Sequence, residues 1–294
     1  MDLEQKAIER LKAASDMSIR LYKQPLVITY SGGKDSDVLL HLAEASGITF
    51  EVLHSLTTAD APQTVYHVRD TFHRLENKGI KCTVDKHVQT DGSRITMWNL
   101  IPRKLMPPTR VVRYCCAVLK EGGGKDRFIA TGVRWDESAA RKKNRGALEV
   151  ITSKKDNSLI LSNDNSEDRR LFESCQLKGK RVVNPIVDWK TDDVLDYIES
   201  EHICMNPLYG CGFSRVGCIG CPMAGKAGRE AEFAMFPKFK AAYIRSFDRM
   251  IEERKRRGKA ENCNWGHDGV DIFHWWMEDG VMPGQEVLDG FEEI

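Results

Sequence analysis

The sequence lacks a long apolar run, a strong imbalance of charge and an internal repeat. No stretch is apolar over the length needed to span a bilayer, so the pattern predicts no transmembrane helix and no membrane partner. Lysine and arginine together number 44, and aspartate and glutamate 43, so bulk charge argues neither for nor against nucleic acid. Residues Met1–Lys6 lack the basic and apolar regions of a signal peptide. We therefore expect a cytoplasmic protein.

The sequence also lacks both common phosphate-binding patterns, G-x-x-x-x-G-K-[ST] and G-x-G-x-x-G. A different glycine turn lies between an apolar run, Leu26–Thr29, and a helical pattern that includes Val38–Leu42. Such a strand–turn–helix directs backbone N–H groups, the positive helix end and a lysine at one point, which predicts an anion site. A turn without a ligand is the alternative. The residues of the predicted site are Ser31, Gly32, Gly33, Lys34, Asp35 and Ser36.

Two further strand ends are predicted to lie beside this turn. The run Ile48–His54 is typical of a parallel second strand, and Thr58 and Asp60 follow it, so both are candidate nucleotide contacts. The alternative role for these two residues is to cap the next helix, predicted at 63–77. The run Arg127–Ala130 predicts a fourth strand.

Gly132 and Arg134 follow the predicted fourth strand. Both would reach the carboxyl edge of the sheet, where the guanidinium of Arg134 could bind a phosphate with its planar set of donors. The alternative is an ion pair between Arg134 and Asp136 or Glu137. A basic run, Arg141–Arg145, follows and would either be solvated or attract a polyanion.

Nine cysteines in a cytoplasmic protein are more typical of metal ligands or reactive thiols than of disulfides. Two pairs stand out, the adjacent Cys115 and Cys116 and the C-x-x-C pair Cys218 and Cys221. Together they supply four thiolates, enough for a [4Fe–4S] cluster or a Cys₄ zinc site. We favour the cluster, because clusters accept varied ligand spacing. Buried cysteines without a metal are the alternative.

The remainder of the chain gives a coarser prediction. The run Val182–Trp189 predicts the last core strand, with Thr191 as the N-cap of the next helix. The polar stretch Lys154–Asp168 is typical of a surface insert. Apolar residues from Phe233 to Ile251 recur at helical spacing, and Pro237 is expected to bend or restart that helix. We divide the chain into a nucleotide-binding domain, 1–203, and a cysteine-rich, helical region, 204–294.

Several motifs together resemble the phosphoadenosine phosphosulfate (PAPS) reductase family of the adenine nucleotide α-hydrolase, or PP-loop, superfamily. The resemblance implies a doubly wound parallel α/β sheet with an adenine nucleotide at its carboxyl edge, and a helical C-terminal extension carrying part of a metal site. It also implies a [4Fe–4S] cluster on Cys115, Cys116, Cys218 and Cys221. The motifs are Ser31–Ser36, Arg113–Cys116, Thr131–Arg134 with Glu137-Ser138, Asn206–Tyr209 and Gly217–Pro222.

Two departures from the sulfonucleotide reductases of that family bear on the chemistry. Those reductases usually carry a degraded first loop, and they end in a Glu-Cys-Gly-Leu/Ile-His segment with the nucleophilic cysteine. This chain keeps an intact loop and has Glu261–His267 in place of that segment. It therefore looks more like relatives that use ATP for sulfur insertion, such as the DNA phosphorothioation protein and cluster-bearing tRNA thiolases.

These patterns predict an ATP pyrophosphatase that activates an acceptor for sulfur transfer. ATP would bind on Ser31–Ser36 with Mg²⁺, and Lys34, Asp35 and Arg134 would act in catalysis. A cysteine desulfurase as sulfur donor and a nucleic acid as acceptor are the expected partners. The rival enzyme is an adenylyl-sulfate or PAPS reductase with Cys263 as nucleophile. A third hypothesis is a nucleotide- and cluster-binding subunit without turnover.

Overall fold

The structure is a computed structural model that describes residues 2–120, 122–124, 126–137, 139–151, 158–161, 180–259 and 265–278. The chain forms two compact units. The first comprises Met1–Ser55, Gln63–Asp85 and Gly123–Val216, and the second comprises Leu56–Pro62, Lys86–Gly122 and Gly217–Ile294. Both units therefore collect separate stretches of chain, unlike the consecutive division that the sequence suggests.

The first unit is built on a seven-stranded sheet with the order β3-β2-β1-β4-β7-β5-β6. Strands β3, β2, β1, β4 and β7 are parallel, whereas β5 pairs antiparallel with both β7 and β6. The parallel part confirms the predicted α/β class, and the antiparallel edge was not foreseen. The strands are β1 (Leu26–Thr29), β2 (Phe50–Ser55), β3 (Cys82–Asp85), β4 (Phe128–Ala130), β5 (Leu148–Ile151), β6 (Ser158–Leu161) and β7 (Lys180–Val183).

Helices of the first unit form one continuous core with one face of the sheet. Leu26 and Ile28 of β1 are fully buried in this core against helix residues such as Leu11, Leu39 and Leu42. The inward residues of β1 and β2 alternate with residues of the other face, as strand geometry requires. The helices are α1 (Leu3–Tyr22), α2 (Lys34–Ala45), α3 (Pro62–Glu76), α6 (Ala139–Asn144) and α7 (Thr191–Ser200).

The second unit is helical and has its own aromatic core. Trp276, 3 % exposed, packs against Tyr243, Phe247 and Phe233, with ring centroids 4.8, 5.6 and 6.2 Å away. Its indole Nε1 donates to the carbonyl of Pro108 at 2.6 Å. The helices are α4 (Met97–Lys104), α5 (Tyr114–Leu119), α8 (Gly225–Met235), α9 (Pro237–Arg256) and α10 (Gly269–Met277). Of the helices described, none combines the length and the apolar composition that a membrane span requires.

Three predictions at the level of secondary structure need comment. Pro237 does restart the C-terminal helical pattern, because α8 ends at Met235 and α9 begins at Pro237. The prediction of Thr191 as the N-cap of α7 was wrong. Lys190 occupies the N-cap position, and Asp193 Oδ2 accepts the N–H of Lys190 at 2.7 Å. Helix α4 was missed because Pro102 lies within it, although Thr96 supplies a capping hydroxyl. The insert Lys154–Asp168 lies outside the described residues apart from β6.

Candidate functional site

The predicted anion loop lies at the carboxyl end of β1, between β2 on one side and β4 on the other. The sheet order reverses there, since the chain moves from β1 to β2 and β3 and then returns to β4 and β7. In open α/β sheets, ligands bind at such a reversal. Gly32 has a φ of +75°, and a Cβ there would lie 3.0 Å from Val68 Cγ2, so the turn requires glycine.

Hydroxyl groups already converge on the amides of this loop. Ser36 Oγ accepts the N–H groups of Gly33 at 3.1 Å and Ser31 at 3.3 Å, and it donates to the Gly33 carbonyl at 2.7 Å. The Tyr209 hydroxyl accepts the N–H of Lys34 at 3.0 Å. These amides lie next to the N-terminus of α2, a position that favours a phosphate, whose oxygens would take the place of the hydroxyls that the amides bond here.

The charged groups of the site form a chain centred on Asp35. Its Oδ2 lies 3.1 Å from Lys34 Nζ, and its Oδ1 lies 2.6 Å from Arg134 Nε. Arg134 is 2 % exposed, and its Nη1 also donates to the Trp189 carbonyl at 3.3 Å. The sequence suggested Asp136 as the partner of Arg134, and that ion pair is present at 3.5 Å, but it did not suggest Asp35. A phosphate contact of Arg134 stays a prediction.

Gly132 brings the end of β4 against the loop. A Cβ on Gly132 would lie 2.9 Å from the carbonyl oxygen of Asp35 and 3.4 Å from the Ser36 nitrogen. The preceding residue, Thr131, donates its hydroxyl to Asn184 Oδ1 beyond β7. Because residue 132 has no side chain, the end of β4 can lie against the first turn of α2. The predicted contact of Gly132 with a nucleotide stays a prediction.

Two residues of this site were not among the predicted site residues. Asn206, 1 % exposed, donates from Nδ2 to the Gly32 carbonyl at 2.9 Å and to Thr64 Oγ1 at 3.1 Å. Tyr209 bonds the Lys34 amide, and burial raises its pKa to about 12, so the hydroxyl keeps its proton at neutral pH. The Asn-Pro-Leu-Tyr motif contributed to the resemblance, but neither Asn206 nor Tyr209 was predicted to contact the loop.

Replacing Asn206 by alanine should lower nucleotide affinity by about tenfold, because the Gly32 carbonyl loses the donor that fixes the loop. The buried acceptors left unpaired should also reduce the free energy of unfolding by about 1–3 kcal/mol. Titration with a non-hydrolysable ATP analogue and urea unfolding measure the two effects. The exposed Asn77 provides the control substitution, Asn77→Ala. Unchanged affinity in a folded Asn206→Ala protein would contradict this role.

Thr58 and Asp60, predicted as nucleotide contacts, belong to the second unit. Thr58 has a φ of +65°, and its Oγ1 accepts the N–H of Met97 at 2.9 Å at the start of α4. Asp60 Oδ2 accepts the N–H of Thr57 at 3.1 Å. Both side chains thus bond backbone groups of the second unit, and their contact with a nucleotide stays a prediction.

The four predicted metal-ligating cysteines all belong to the second unit. The pKa of Cys115 is raised by its hydrogen bond with Cys116, by burial and by the charges of Cys218 and Cys221. The pKa of Lys120 is raised above its usual value, chiefly by the Cys218 thiolate. These effects link Cys115 with the other three cysteines and Lys120 with Cys218. Among the residues that the structure describes, no group of three or more His, Cys, Asp or Glu is arranged to hold a metal ion.

The turn that carries Cys218 and Cys221 is tightly held. Gly220 has a φ of +72°, and a Cβ there would lie 2.5 Å from Phe233 Cζ. Its N–H donates to Glu232 Oε2 at 2.6 Å. The neighbouring Ile219 carbonyl accepts the Tyr243 hydroxyl at 2.9 Å. The positions of the two cysteines are therefore set by α8 and α9.

The basic run Arg141–Arg145 is partly neutralised. Arg141 pairs with Glu137, and Arg145 Nη1 lies 2.8 Å from Glu149 Oε2. Lys142 and Lys143 are exposed on α6. The run thus offers less free charge than its sequence suggests.

Comparison with known proteins decides the family. The family model described as phosphoadenosine phosphosulfate reductase domain matches residues 25–224. The chain belongs to this family. The range matched to the PAPS reductase domain includes the loop Ser31–Ser36, Arg134 and all four cysteines. Family and fold together support nucleotide binding and sulfur-related chemistry.

Individual relatives are distant. An uncharacterized 37.8 kDa protein of Escherichia phage 186 is 28 % identical over 55 % of this chain and 45 % of its own length. An uncharacterized protein of Methanocaldococcus jannaschii is 26 % identical over 88 % of this chain and 54 % of its own. This chain thus spans about half the length of these relatives.

Two relatives have named activities. An adenosine 5′-phosphosulfate reductase of Bacillus cereus is 23 % identical over 74 % of this chain and 81 % of the relative. A phosphoadenylyl-sulfate reductase structure from Candida auris is 15 % identical with a TM-score of 0.43, covering 72 % of this chain and 88 % of that one.

Proposed function

We propose that this protein is an ATP pyrophosphatase that activates an acceptor for sulfur transfer. The observation that carries the proposal is the intact Ser31–Ser36 loop at the reversal point of the sheet. Its amides, the start of α2 and the Lys34 ammonium are suited to a triphosphate. Membership of the PAPS reductase family agrees with a nucleotide that takes part in sulfur chemistry.

The first step would be adenylation of the acceptor. An acceptor oxygen attacks the α-phosphorus of ATP, the bond from that phosphorus to the bridging oxygen of the β-phosphate breaks, and pyrophosphate leaves with the electron pair. Lys34 and the loop amides stabilise the charge that develops on the leaving group. A sulfur nucleophile at the sulfide oxidation level then displaces AMP from the acceptor. A donor protein such as a cysteine desulfurase would supply that sulfur as a persulfide, and two electrons from a pair of thiols, which become a disulfide, would release it as sulfide.

Asp35 is one candidate ligand for the Mg²⁺ of ATP, but its carboxylate is engaged on both oxygens, by Lys34 at 3.1 Å and Arg134 at 2.6 Å. A carboxylate shared by two cations is a poor ligand for a further cation. We therefore do not assign Asp35 as a ligand of Mg²⁺, which would enter as part of the Mg·ATP substrate. Asp35 instead orients Lys34 and neutralises the buried Arg134.

We further propose that Cys115, Cys116, Cys218 and Cys221 hold a [4Fe–4S] cluster. All four cysteines belong to the second unit, and each thiolate of such a cluster binds a different iron, so the sulfurs need not converge on one point. When bound, the cluster would supply iron-ligated sulfide for sulfur chemistry. The Lys120 ammonium would offset part of the negative charge of the thiolates.

Anaerobic purification tests the cluster. We expect a brown protein with about four irons and four sulfides per chain. The variant Cys218→Ser should lose most of this iron, whereas Cys204→Ser, at an exposed cysteine on the first unit, should retain it. Colourless wild-type protein, or zinc in place of iron, would contradict the cluster.

An assay of pyrophosphate and AMP tests the proposed ATP pyrophosphatase activity. The protein is incubated with ATP and, in turn, with DNA, tRNA and small acceptors. Nucleic acid is our proposed acceptor, although Arg141–Arg145 gives it only two exposed lysines. If the protein turns over no ATP with any of these acceptors, that result would support a nucleotide-binding subunit without catalytic activity instead.

The similarity to the reductase of Bacillus cereus supports one alternative activity, the release of sulfite from a sulfonucleotide with a thiol donor. Cys263, its predicted nucleophile, lies outside the described residues. Sulfite release that is lost in Cys263→Ser would replace our proposal with that reductase activity.

A further inference from the structure

A cavity of about 560 Å³ lies in the first unit, lined by residues of α2, of α3 and of the segment 201–207. We call it the α2–α3 cavity. Its size is within the range of small-molecule sites in proteins. Leu40, Ile203, Met205 and Pro207 give it an apolar wall. The proposed ATP chemistry uses none of these residues.

A buried carboxylate in this cavity has an unsatisfied oxygen. The side chain of Asp37 is only 4 % exposed. Its Oδ1 accepts the Tyr30 hydroxyl at 2.6 Å and lies 3.0 Å from His67 Nε2. Its Oδ2 has no hydrogen-bond partner among the described residues. Leaving a buried carboxylate oxygen unpaired is costly, so such an atom indicates a missing donor.

A second unsatisfied atom has the same chemical character. Gln63 lines the same cavity, and its Oε1 is buried and lacks a hydrogen-bond partner among the described residues. Both unsatisfied atoms are acceptors, one of them charged. The group that completes this cavity must therefore be a hydrogen-bond donor, and a cation satisfies Asp37 best.

The charges around the cavity point in the same direction. Arg74 is its one lining lysine or arginine, and both Arg74 Nη atoms are bound to the Glu44 carboxylate at 2.8 Å. Glu201 lies at the exposed rim and makes no ion pair among the residues that the structure describes. Asp70 also lines the cavity and pairs with Arg69 at 3.3 Å. Asp37, whose basic neighbour is the His67 imidazole, and Glu201 therefore have no lysine or arginine partner among the described residues.

We propose that the α2–α3 cavity binds a small aliphatic amine, such as a diamine or polyamine. One ammonium group donates to Asp37 Oδ2 and Gln63 Oε1, and the hydrocarbon chain lies along the apolar wall. A further ammonium group is attracted to Glu201 at the rim. A bare metal ion would use the carboxylate but not the apolar wall, so the volume and lining favour an organic cation.

Isothermal titration of the full chain with putrescine and spermidine tests this site, with 1,4-butanediol as the neutral analogue of putrescine. We expect both amines to bind and the diol not to bind. Asp37→Asn should weaken amine binding by about tenfold or more, because it removes the buried charge that the ammonium pairs with. Glu201→Gln should weaken spermidine binding by about threefold, as is typical of an exposed charge.

The exposed Glu199 belongs to α7 and does not line the cavity, so Glu199→Gln should bind spermidine like the wild type. Circular dichroism establishes whether the Asp37→Asn protein is folded. If that protein is unfolded, the spermidine affinity of the rim variant Glu201→Gln still tests the site. Three results would overturn the proposal: no binding of either amine, equal binding by wild type and both cavity variants, or binding of Mg²⁺ or Zn²⁺ alone that excludes the amines.

Discussion

Replacing Lys34 by alanine is expected to slow the release of pyrophosphate from ATP by about 10²- to 10³-fold, the usual cost of removing one group that stabilises transition-state charge. Lys34 is the first residue of α2 and the one cation of the Ser31–Ser36 loop. Without its ammonium group, the leaving pyrophosphate retains the loop amides but loses its positive partner. Initial rates with saturating ATP measure the effect on the reaction itself.

The same substitution should hardly affect stability. Lys34 pairs with Asp35 at 3.1 Å, but Asp35 keeps its shorter bond to Arg134, so no buried charge is left alone. We expect the free energy of unfolding to change by less than about 1 kcal/mol. Lys12→Ala, at an exposed lysine of α1, is the matched control and should retain full activity. A Lys34→Ala rate within about twofold of wild type would exclude the role we give to this residue.

Replacing Gly220 by alanine is expected to destabilise the second unit by about 2–5 kcal/mol. This range combines about 1–2 kcal/mol for a left-handed backbone conformation with about 1–3 kcal/mol for overpacking. The new Cβ would lie 2.5 Å from Phe233 Cζ and 2.9 Å from Tyr243 Cε2, and neither ring can move freely within the aromatic core. Urea unfolding followed by tryptophan fluorescence measures the effect, because Trp98 and Trp276 both lie in this unit.

Gly258 offers a control for the backbone contribution alone. It belongs to the same unit and has a φ of +63°, but no atom lies within 4 Å of the position that an alanine methyl group would take. Gly258→Ala should therefore cost only about 1–2 kcal/mol. Equal destabilisation by the two substitutions would show that the contact with Phe233 and Tyr243 has no energetic consequence. We also expect Gly220→Ala to bind less iron, because the turn bearing Cys218 and Cys221 would shift.

The parts of the fold that follow local rules could be predicted from the sequence. The apolar run Leu26–Thr29, the glycines after it and the leucines of α2 agree in pattern, and each element forms within two residues of its predicted position. The antiparallel strands β5 and β6 could not be predicted in the same way. The pairing of β5 with β7, and of β6 with β5, depends on register between separate segments, and part of the intervening chain is polar.

The candidate site was predictable as a list of residues but not as a set of contacts. Lys34, Asp35 and Arg134 stand out by residue type and position, yet the ion pair between Asp35 and Arg134 joins residues 99 positions apart. Asn206 and Tyr209 reach the loop from still farther along the chain. No periodicity encodes such contacts, although the Asn-Pro-Leu-Tyr motif was a signal that its residues could matter beyond the core.

The two units are built from alternating stretches of the chain, and this alternation affects how the protein folds during synthesis. The polypeptide passes from one unit to the other after residues 55, 62, 85, 122 and 216. Neither unit can therefore be completed by an early portion emerging from the ribosome. A fragment ending at residue 203 would lack both Asn206 and Tyr209, so the phosphate loop would be translated early but would acquire its full set of contacts only late.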